Sequence, residues 1–130
     1  MKRSILSING NKPFNYILKT VLSDKYNVFL AANPVAALRL MRDYKELDLI
    51  LIDTDMFQSE AIDFILHVKT SIILDKPIIV LTSTEMSLLQ SRVSKIRIEQ
   101  IFNKPFNPVI LLQQIDKLLM PIDITFSIRP

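Results

Sequence analysis

The sequence contains no cysteine and only one glycine among its 130 residues. Without cysteine the chain has no disulfide scaffold, no thiolate nucleophile and none of the common structural zinc sites. The absence of disulfides mildly favours a cytoplasmic location. The single glycine argues against the Gly-rich loops that bind dinucleotides or nucleoside triphosphates. Nucleotide binding is therefore not expected.

Long apolar runs and charge of one dominant sign are also missing. No apolar run approaches the length of a membrane span, and the basic start, residues 1–4, leads into a segment too short for a signal-peptide core. The formal net charge is only +3, from 16 basic and 13 acidic residues spread along the chain. We therefore expect a cytoplasmic protein without a membrane partner, folded as one domain with a substantial core.

The one local cluster of basic residues is Arg92, Lys95 and Arg97. Three bases on one predicted helix are usually a solvated face, and the sequence has no known DNA-reading motif. Nucleic acid is therefore not the expected partner, and a small nucleic-acid-binding regulatory domain is a remote alternative.

The segment from Asp48 to Asp55 contains the strongest strand pattern in the chain. Its four apolar residues, Leu49–Ile52, are followed at once by acids, which is typical of a strand covered on both faces of a parallel sheet. Ligands collect at the carboxyl ends of such strands, so Asp53 and Asp55 are candidate functional carboxylates. A hydrolase built on these acids is a remote alternative, since the only histidine, His67, is predicted in mid-helix without an evident partner there.

Five apolar segments of strand length alternate with five segments of helical period. The predicted strands cover residues 4–8, 27–31, 49–52, 78–81 and 99–102. The predicted helices begin near Lys12-Pro13, at Asn33-Pro34, at Gln58 or Ser59, near Met86 and at Asn107-Pro108. This alternation is typical of βα units, so we predict an α/β fold with a doubly wound parallel sheet and right-handed crossovers.

Helical spacing also predicts which side chains face the core. It assigns Ile17 in the first helix and Val35 in the second to the buried faces. Asn33 is expected to cap the second helix, with Pro34 at its first position.

The pattern changes after residue 120. In residues 121–130 apolar side chains alternate strictly with polar ones, which is the period of an extended strand and not of a helix. We predict a C-terminal extended tail beside a domain of residues 1–120. A tail packed on its own domain is favoured over strand exchange between two chains.

The carboxyl ends of the third, fourth and fifth predicted strands present Asp53, Thr82 and Lys104. In a doubly wound sheet these ends lie side by side. A carboxylate, a hydroxyl and an ammonium in one crevice can bind or accept a phosphoryl group, with the carboxylate as nucleophile. Taken singly, each residue has an ordinary structural explanation as a turn, strand or surface residue.

Three segments that carry these residues resemble the signature segments of bacterial response-regulator receiver domains. They are Asp48–Asp53, Ile78–Thr82 and Lys104–Phe106, and their order and spacing match over the chain from Lys2 to about Met120. The resemblance implies a flavodoxin-like fold with strand order 2-1-3-4-5. It implies a signalling domain, not an enzyme, in a two-component phosphorelay.

The same resemblance assigns roles to single residues. It implies that Asp53 is the phosphoacceptor, that Thr82 is the switch hydroxyl and that Lys104 contacts the phosphoryl group. It also implies a cis peptide bond before Pro105. The expected phosphoryl donor is a sensor histidine kinase or a phosphotransfer protein.

The sequence departs from the family at the acidic pair that normally follows the first strand. The matching residues here are Asn9 and Gly10, so the carboxylates that hold Mg²⁺ are missing and any Mg²⁺ should bind weakly. The remaining candidate metal ligands are Asp53 and Asp55. We favour a solvated loop acid at Asp55 over a replacement metal ligand.

A second departure concerns the switch. The position three residues before Lys104, usually an aromatic residue that rotates as the hydroxyl moves, is Ile101. Phe102 is adjacent but should point to the opposite face of the sheet. An aromatic switch of this kind is therefore not expected.

These observations predict a stand-alone receiver that acts on a downstream protein target. Within this prediction two mechanisms stay open: phosphoryl acceptance on Asp53, or a pseudo-receiver that binds partners independently of phosphorylation. The expected partner face combines the helix near 86–96, the fifth strand and the last helix. Its candidate exposed residues are Arg92, Lys95, Gln113 and Lys117. A homodimer is an open alternative.

Overall fold

Five parallel strands form the centre of the protein in the order β2-β1-β3-β4-β5. The computed structural model describes residues 2–44, 46–83 and 96–119. The strands are β1 (Arg3–Ile8), β2 (Tyr26–Ala31), β3 (Leu49–Asp53), β4 (Ile78–Thr82) and β5 (Gln100–Asn103). The predicted α/β fold, strand order and parallel pairing are confirmed.

Four helices lie in the described part of the chain. They are α1 (Lys12–Leu22), α2 (Pro34–Asp43), α3 (Gln58–Thr70) and α4 (Pro108–Leu119). As predicted, Asn33 caps α2: its side chain accepts a hydrogen bond from the Ala36 N–H, and Pro34 occupies the first helical position. The helix predicted near 86–96 lies almost entirely outside the described residues, and the tail 121–130 lies wholly outside them.

Helices cover both faces of the sheet, and successive side chains of a strand pack alternately against one face and the other. In β3, Ile50 and Ile52 pack on α2 and α3, whereas Leu49 and Leu51 pack on α1 and α4. All five residues of β3 and all five of β4 are buried. This explains their almost continuous apolar sequence. In the described residues, no helix combines the length and apolarity needed to cross a membrane.

Helical spacing was wrong about two side chains. Ile17 is 51% exposed and Val35 is 63% exposed. Helix α1 instead buries Asn15, Leu18 and Leu22. The buried stripe is narrow and follows steps of three and four residues, so a residue one position away from it turns by about 100° towards solvent.

A polar contact joins α4 to the amino-terminal end of β2. Tyr26 is 1% exposed, and its hydroxyl donates to Asp116 Oδ1 at 2.5 Å. Lys25 Nζ donates to the other oxygen at 2.9 Å. Burial and then the Asp116 carboxylate raise the pKa of the Tyr26 hydroxyl, which therefore remains a donor. Burial alone would raise the pKa of Asp116, but the hydrogen bonds from Tyr26 and Lys25 lower it.

We expect the substitution Asp116→Ala to lower the free energy of unfolding by about 2 kcal/mol, because it leaves the buried Tyr26 hydroxyl without its acceptor. Urea unfolding at neutral pH measures this loss. The control is Lys25→Met, which removes only the partly exposed ion pair and should cost less than about 1 kcal/mol. Equal losses in the two variants would contradict the importance of the tyrosine contact.

Candidate functional site

The site lies at the carboxyl edge of the sheet, where β3, β4 and β5 end side by side. Asp53 pairs in register with Leu81, the residue before Thr82, and Thr82 pairs with Asn103, the residue before Lys104. The Lys104 N–H donates to the Thr82 carbonyl at 2.8 Å. The parallel register therefore brings together the three side chains that the sequence singles out.

The Asp53 carboxylate is buried and accepts hydrogen bonds from three directions. Its side chain is 3% exposed. Oδ2 contacts the ammonium of Lys104 and accepts from Asn9 Nδ2 at 3.1 Å. Oδ1 accepts from the backbone N–H of Asp55 at 2.9 Å. These contacts fix the orientation of the carboxylate at the end of β3.

Lys104 joins Asp53 to Asp55 by one ammonium group. Nζ contacts Asp53 Oδ2 and lies 3.0 Å from Asp55 Oδ2. Burial alone would lower the pKa of Lys104, but the two carboxylates raise it above its ordinary value, so the amine stays charged. The ammonium also lies 5.3 Å from the centre of the Phe14 ring. The Lys104–Pro105 peptide bond is cis, as the resemblance implies.

Asp55 is an exposed acid on the loop after β3, and its carboxylate also makes contacts within the site. Oδ1 accepts from the Ser83 N–H at 2.9 Å and lies 3.5 Å from Thr82 Oγ1, which donates to it. Oδ2 accepts from Lys104 Nζ. Burial alone would raise the pKa of Asp55, but the Ser83 N–H and Lys104 lower it below its ordinary value.

Two residues of this network were missed from the sequence, Thr54 and Ser83. Thr54 is fully buried, and its hydroxyl donates to Thr82 Oγ1 at 2.7 Å. The sequence could have indicated Thr54, because it lies between two acids directly after a buried strand. Ser83 contacts Asp55 through its backbone N–H and also through its side chain. Any residue other than proline provides the backbone N–H, so the sequence gives no signal for that contact.

Asn9 occupies the place of the first missing acid and makes a different contact. It is 3% exposed; Nδ2 donates to Asp53, and Oδ1 accepts from the Asn11 N–H at 2.9 Å. The Asn9 amide therefore donates a hydrogen bond to Asp53, whereas a carboxylate at residue 9 would repel it. Asn9 is more than a turn residue, since it holds the candidate acceptor.

Gly10 lies beneath the loop that follows β3. A Cβ atom at residue 10 would lie 3.0 Å from Phe57 Cε2, and closer still to Met56 Sδ. Because residue 10 has no side chain, the Met56 and Phe57 side chains can lie against its backbone. A side chain at residue 10 would require them to shift.

The described residues are a poor fit to Mg²⁺. Among the described residues, the carboxylates at the site are those of Asp53 and Asp55, and each already contacts the Lys104 ammonium. Within residues 2–44, 46–83 and 96–119, no group of three or more His, Cys, Asp or Glu side chains is arranged to hold a metal. Mg²⁺ prefers several oxygen ligands with carboxylate charge.

Ile101 and Phe102 face opposite sides of the sheet. Ile101 packs against the core formed with α2 and α3. Phe102 belongs to the core formed with α1 and α4, and its ring centre lies 5.6 Å from that of Phe106. The neighbouring aromatic residue therefore does not take the position of the expected aromatic switch.

Only part of the predicted partner face is described. Gln113 and Lys117 are exposed on α4, whereas Arg92 and Lys95 lie outside the described residues. The side chain of Arg97 is 86% exposed and pairs with Glu99 at 3.3 Å. His67 is exposed on α3.

Comparison with known proteins agrees with this geometry. The sequence profile of the response regulator receiver domain matches residues 5–116. The structure resembles chemotaxis protein CheY4 of Vibrio cholerae, with 22% identity and a TM-score of 0.81 over 92% of this chain and 100% of that chain. It resembles a two-component response regulator from Clostridium difficile, with 21% identity and a TM-score of 0.82 over 94% and 99% of the two chains. At these identities the structural likeness shows the fold, and no curated protein matches the sequence.

Acid should destabilise the parent protein more steeply than the variant Asp55→Asn. The folded-state pKa of Asp55 is lowered, so the stability that it contributes is present above its unfolded pKa of about 3.9 and is lost as pH falls through the folded pKa. Urea unfolding between about pH 5 and pH 2 measures the two slopes. Asp63→Asn, at an exposed acid of α3, is the control and should behave like the parent.

The substitution Asn9→Asp should make stability depend on Mg²⁺. It replaces a donor 3.1 Å from Asp53 Oδ2 by a carboxylate, so the melting temperature should fall without metal and recover when millimolar Mg²⁺ offsets the repulsion. Thermal unfolding with and without Mg²⁺ measures the recovery. Asn9→Ala loses the same hydrogen bond without adding charge, and an equal response to Mg²⁺ in both variants would refute the argument.

Proposed function

The chain belongs to the response regulator receiver domain family, and we propose that it accepts a phosphoryl group on Asp53 in a cytoplasmic phosphorelay. Receiver domains are in general signalling modules and not enzymes. They interact with histidine kinases or phosphotransfer proteins and with downstream targets. The proposal concerns whether this chain retains the phosphoryl chemistry.

The observation that carries the proposal is the contact between Lys104 and Asp53 at the end of β3. In the proposed reaction an oxygen of Asp53 attacks the phosphorus of the donor, and the bond from phosphorus to the donor nitrogen breaks. Lys104 offsets the negative charge of the phosphoryl oxygens, and Thr82 offers a hydroxyl beside them. Asn9 keeps the acceptor in place by donating to Oδ2.

A second candidate is a pseudo-receiver that binds its protein target independently of phosphorylation. Asn9 and Gly10 favour it, because neither supplies the negative charge that would hold Mg²⁺ beside Asp53. In this alternative the exposed residues Gln113 and Lys117 of α4 belong to a constitutive interaction surface.

Incubation with phosphoramidate and Mg²⁺, followed by intact-mass analysis, should add one phosphoryl group to the parent protein and none to Asp53→Asn. Lys104→Ala should slow the addition by about a hundredfold, because it removes the ammonium beside the attacked phosphoryl group. Asp63→Asn changes an exposed acid of α3 and should retain the parent rate. A parent protein that gains no mass would reject phosphoryl acceptance and leave the pseudo-receiver.

A further inference from the structure

The side chain of Asp55 is surrounded by donors that suit an anion. Its oxygens accept from the Ser83 N–H at 2.9 Å, from Thr82 Oγ1 at 3.5 Å and from Lys104 Nζ at 3.0 Å. A backbone N–H, a hydroxyl and an ammonium from the ends of β4 and β5 thus converge on one carboxylate. The same carboxylate lies two residues after Asp53, on the loop that leaves β3.

A phosphoryl group on Asp53 would need donors of the same kinds in the same place. Its oxygens are anionic acceptors, and the hydroxyl and ammonium beside Asp53 belong to Thr82 and Lys104. Those two groups already bind Asp55. We propose that the Asp55 carboxylate is a built-in substitute for the phosphoryl group, filling the anion site that a phosphoryl group on Asp53 would otherwise occupy.

The proposal deepens the proposed function and rests on it for its role in signalling. Asp55 belongs to the same chain as its donors, so it reaches them without the entropy loss that a separate ion pays. The lowered pKa of Asp55 keeps the carboxylate ionised at neutral pH. Its side chain is 29% exposed, so rotation towards water can release the donors to an incoming phosphoryl group.

Asp55 also increases the charge that opposes phosphoryl transfer. One ammonium contacts two carboxylates, so the three side chains carry a net negative charge before any phosphoryl group arrives. Removal of Asp55 therefore frees the donors and lowers the repulsion together. Both effects favour anion binding, whereas a metal-holding role for Asp55 predicts the opposite effect on phosphoryl transfer.

Titration with inorganic phosphate tests the anion site without any phosphoryl transfer. The comparison uses Asp53→Asn and the double variant Asp53→Asn/Asp55→Ala, without metal, and follows the Ser83 amide by NMR. The double variant should bind phosphate about tenfold more tightly, because the donors have lost their internal acceptor. Asp55→Asn in the same background retains an acceptor for Ser83 but no charge, and should give an intermediate affinity.

Asp24→Ala in the Asp53→Asn background is the matched control, since it removes an exposed acid before β2, at the opposite edge of the sheet. It should bind phosphate as Asp53→Asn does. Equal affinities with and without Asp55, or no binding to either protein, would overturn the proposal. A well-dispersed amide spectrum of each variant shows that it is folded.

Phosphoramidate labelling separates this proposal from the proposed function. With Asp53 intact, Asp55→Ala should take up the phosphoryl group several-fold faster than the parent. Slower uptake would overturn the proposal and favour a helping role for Asp55. If neither protein is labelled, phosphoryl acceptance on Asp53 fails, and the phosphate titration still decides whether Asp55 fills an anion site.

Discussion

The ammonium of Lys104 lies between two carboxylates, Asp53 and Asp55, that would otherwise repel each other. The arrangement of the site depends on this contact, because a buried carboxylate without a positive partner is costly. The cation comes from the end of β5 and the acids from the end of β3, with β4 between them. The ion pairs therefore hold the loop after β3 close to the end of β5. In this position Asp55 can accept a hydrogen bond from Ser83.

Asn9 and Gly10 lie in the loop after β1, where Asn9 contacts Asp53 and Gly10 contacts the loop after β3. The amide of Asn9 donates to Asp53, and the Met56 and Phe57 side chains lie close to the backbone of Gly10. A carboxylate at residue 9 would add charge beside Asp53, and a side chain at residue 10 would require the Met56 and Phe57 side chains to shift.

Much of this was predictable from the sequence, for reasons tied to particular residues. Continuous apolar runs such as Leu49–Ile52 predict buried parallel strands, and the meeting of strand ends then places Asp53 near Thr82 and Lys104. The pairing of Asp55 could not be predicted in the same way, since it depends on where a loop places a backbone N–H. The prediction that Val35 is buried was wrong, because helical spacing does not show how narrow the buried stripe is.

The groups at the site are far apart along the chain: Asn9 lies 44 residues from Asp53, and Asp55 lies 49 residues from Lys104. During synthesis on the ribosome, Asp53 and Asp55 emerge well before the amine that neutralises them. The two acids therefore lack the Lys104 ammonium until β5 and the residue that follows it have been translated and the strand has been added to the sheet. A nascent chain that stops before Lys104 would have the candidate acceptor but no complete site, so the proposed phosphoryl acceptance would require completion of the sheet.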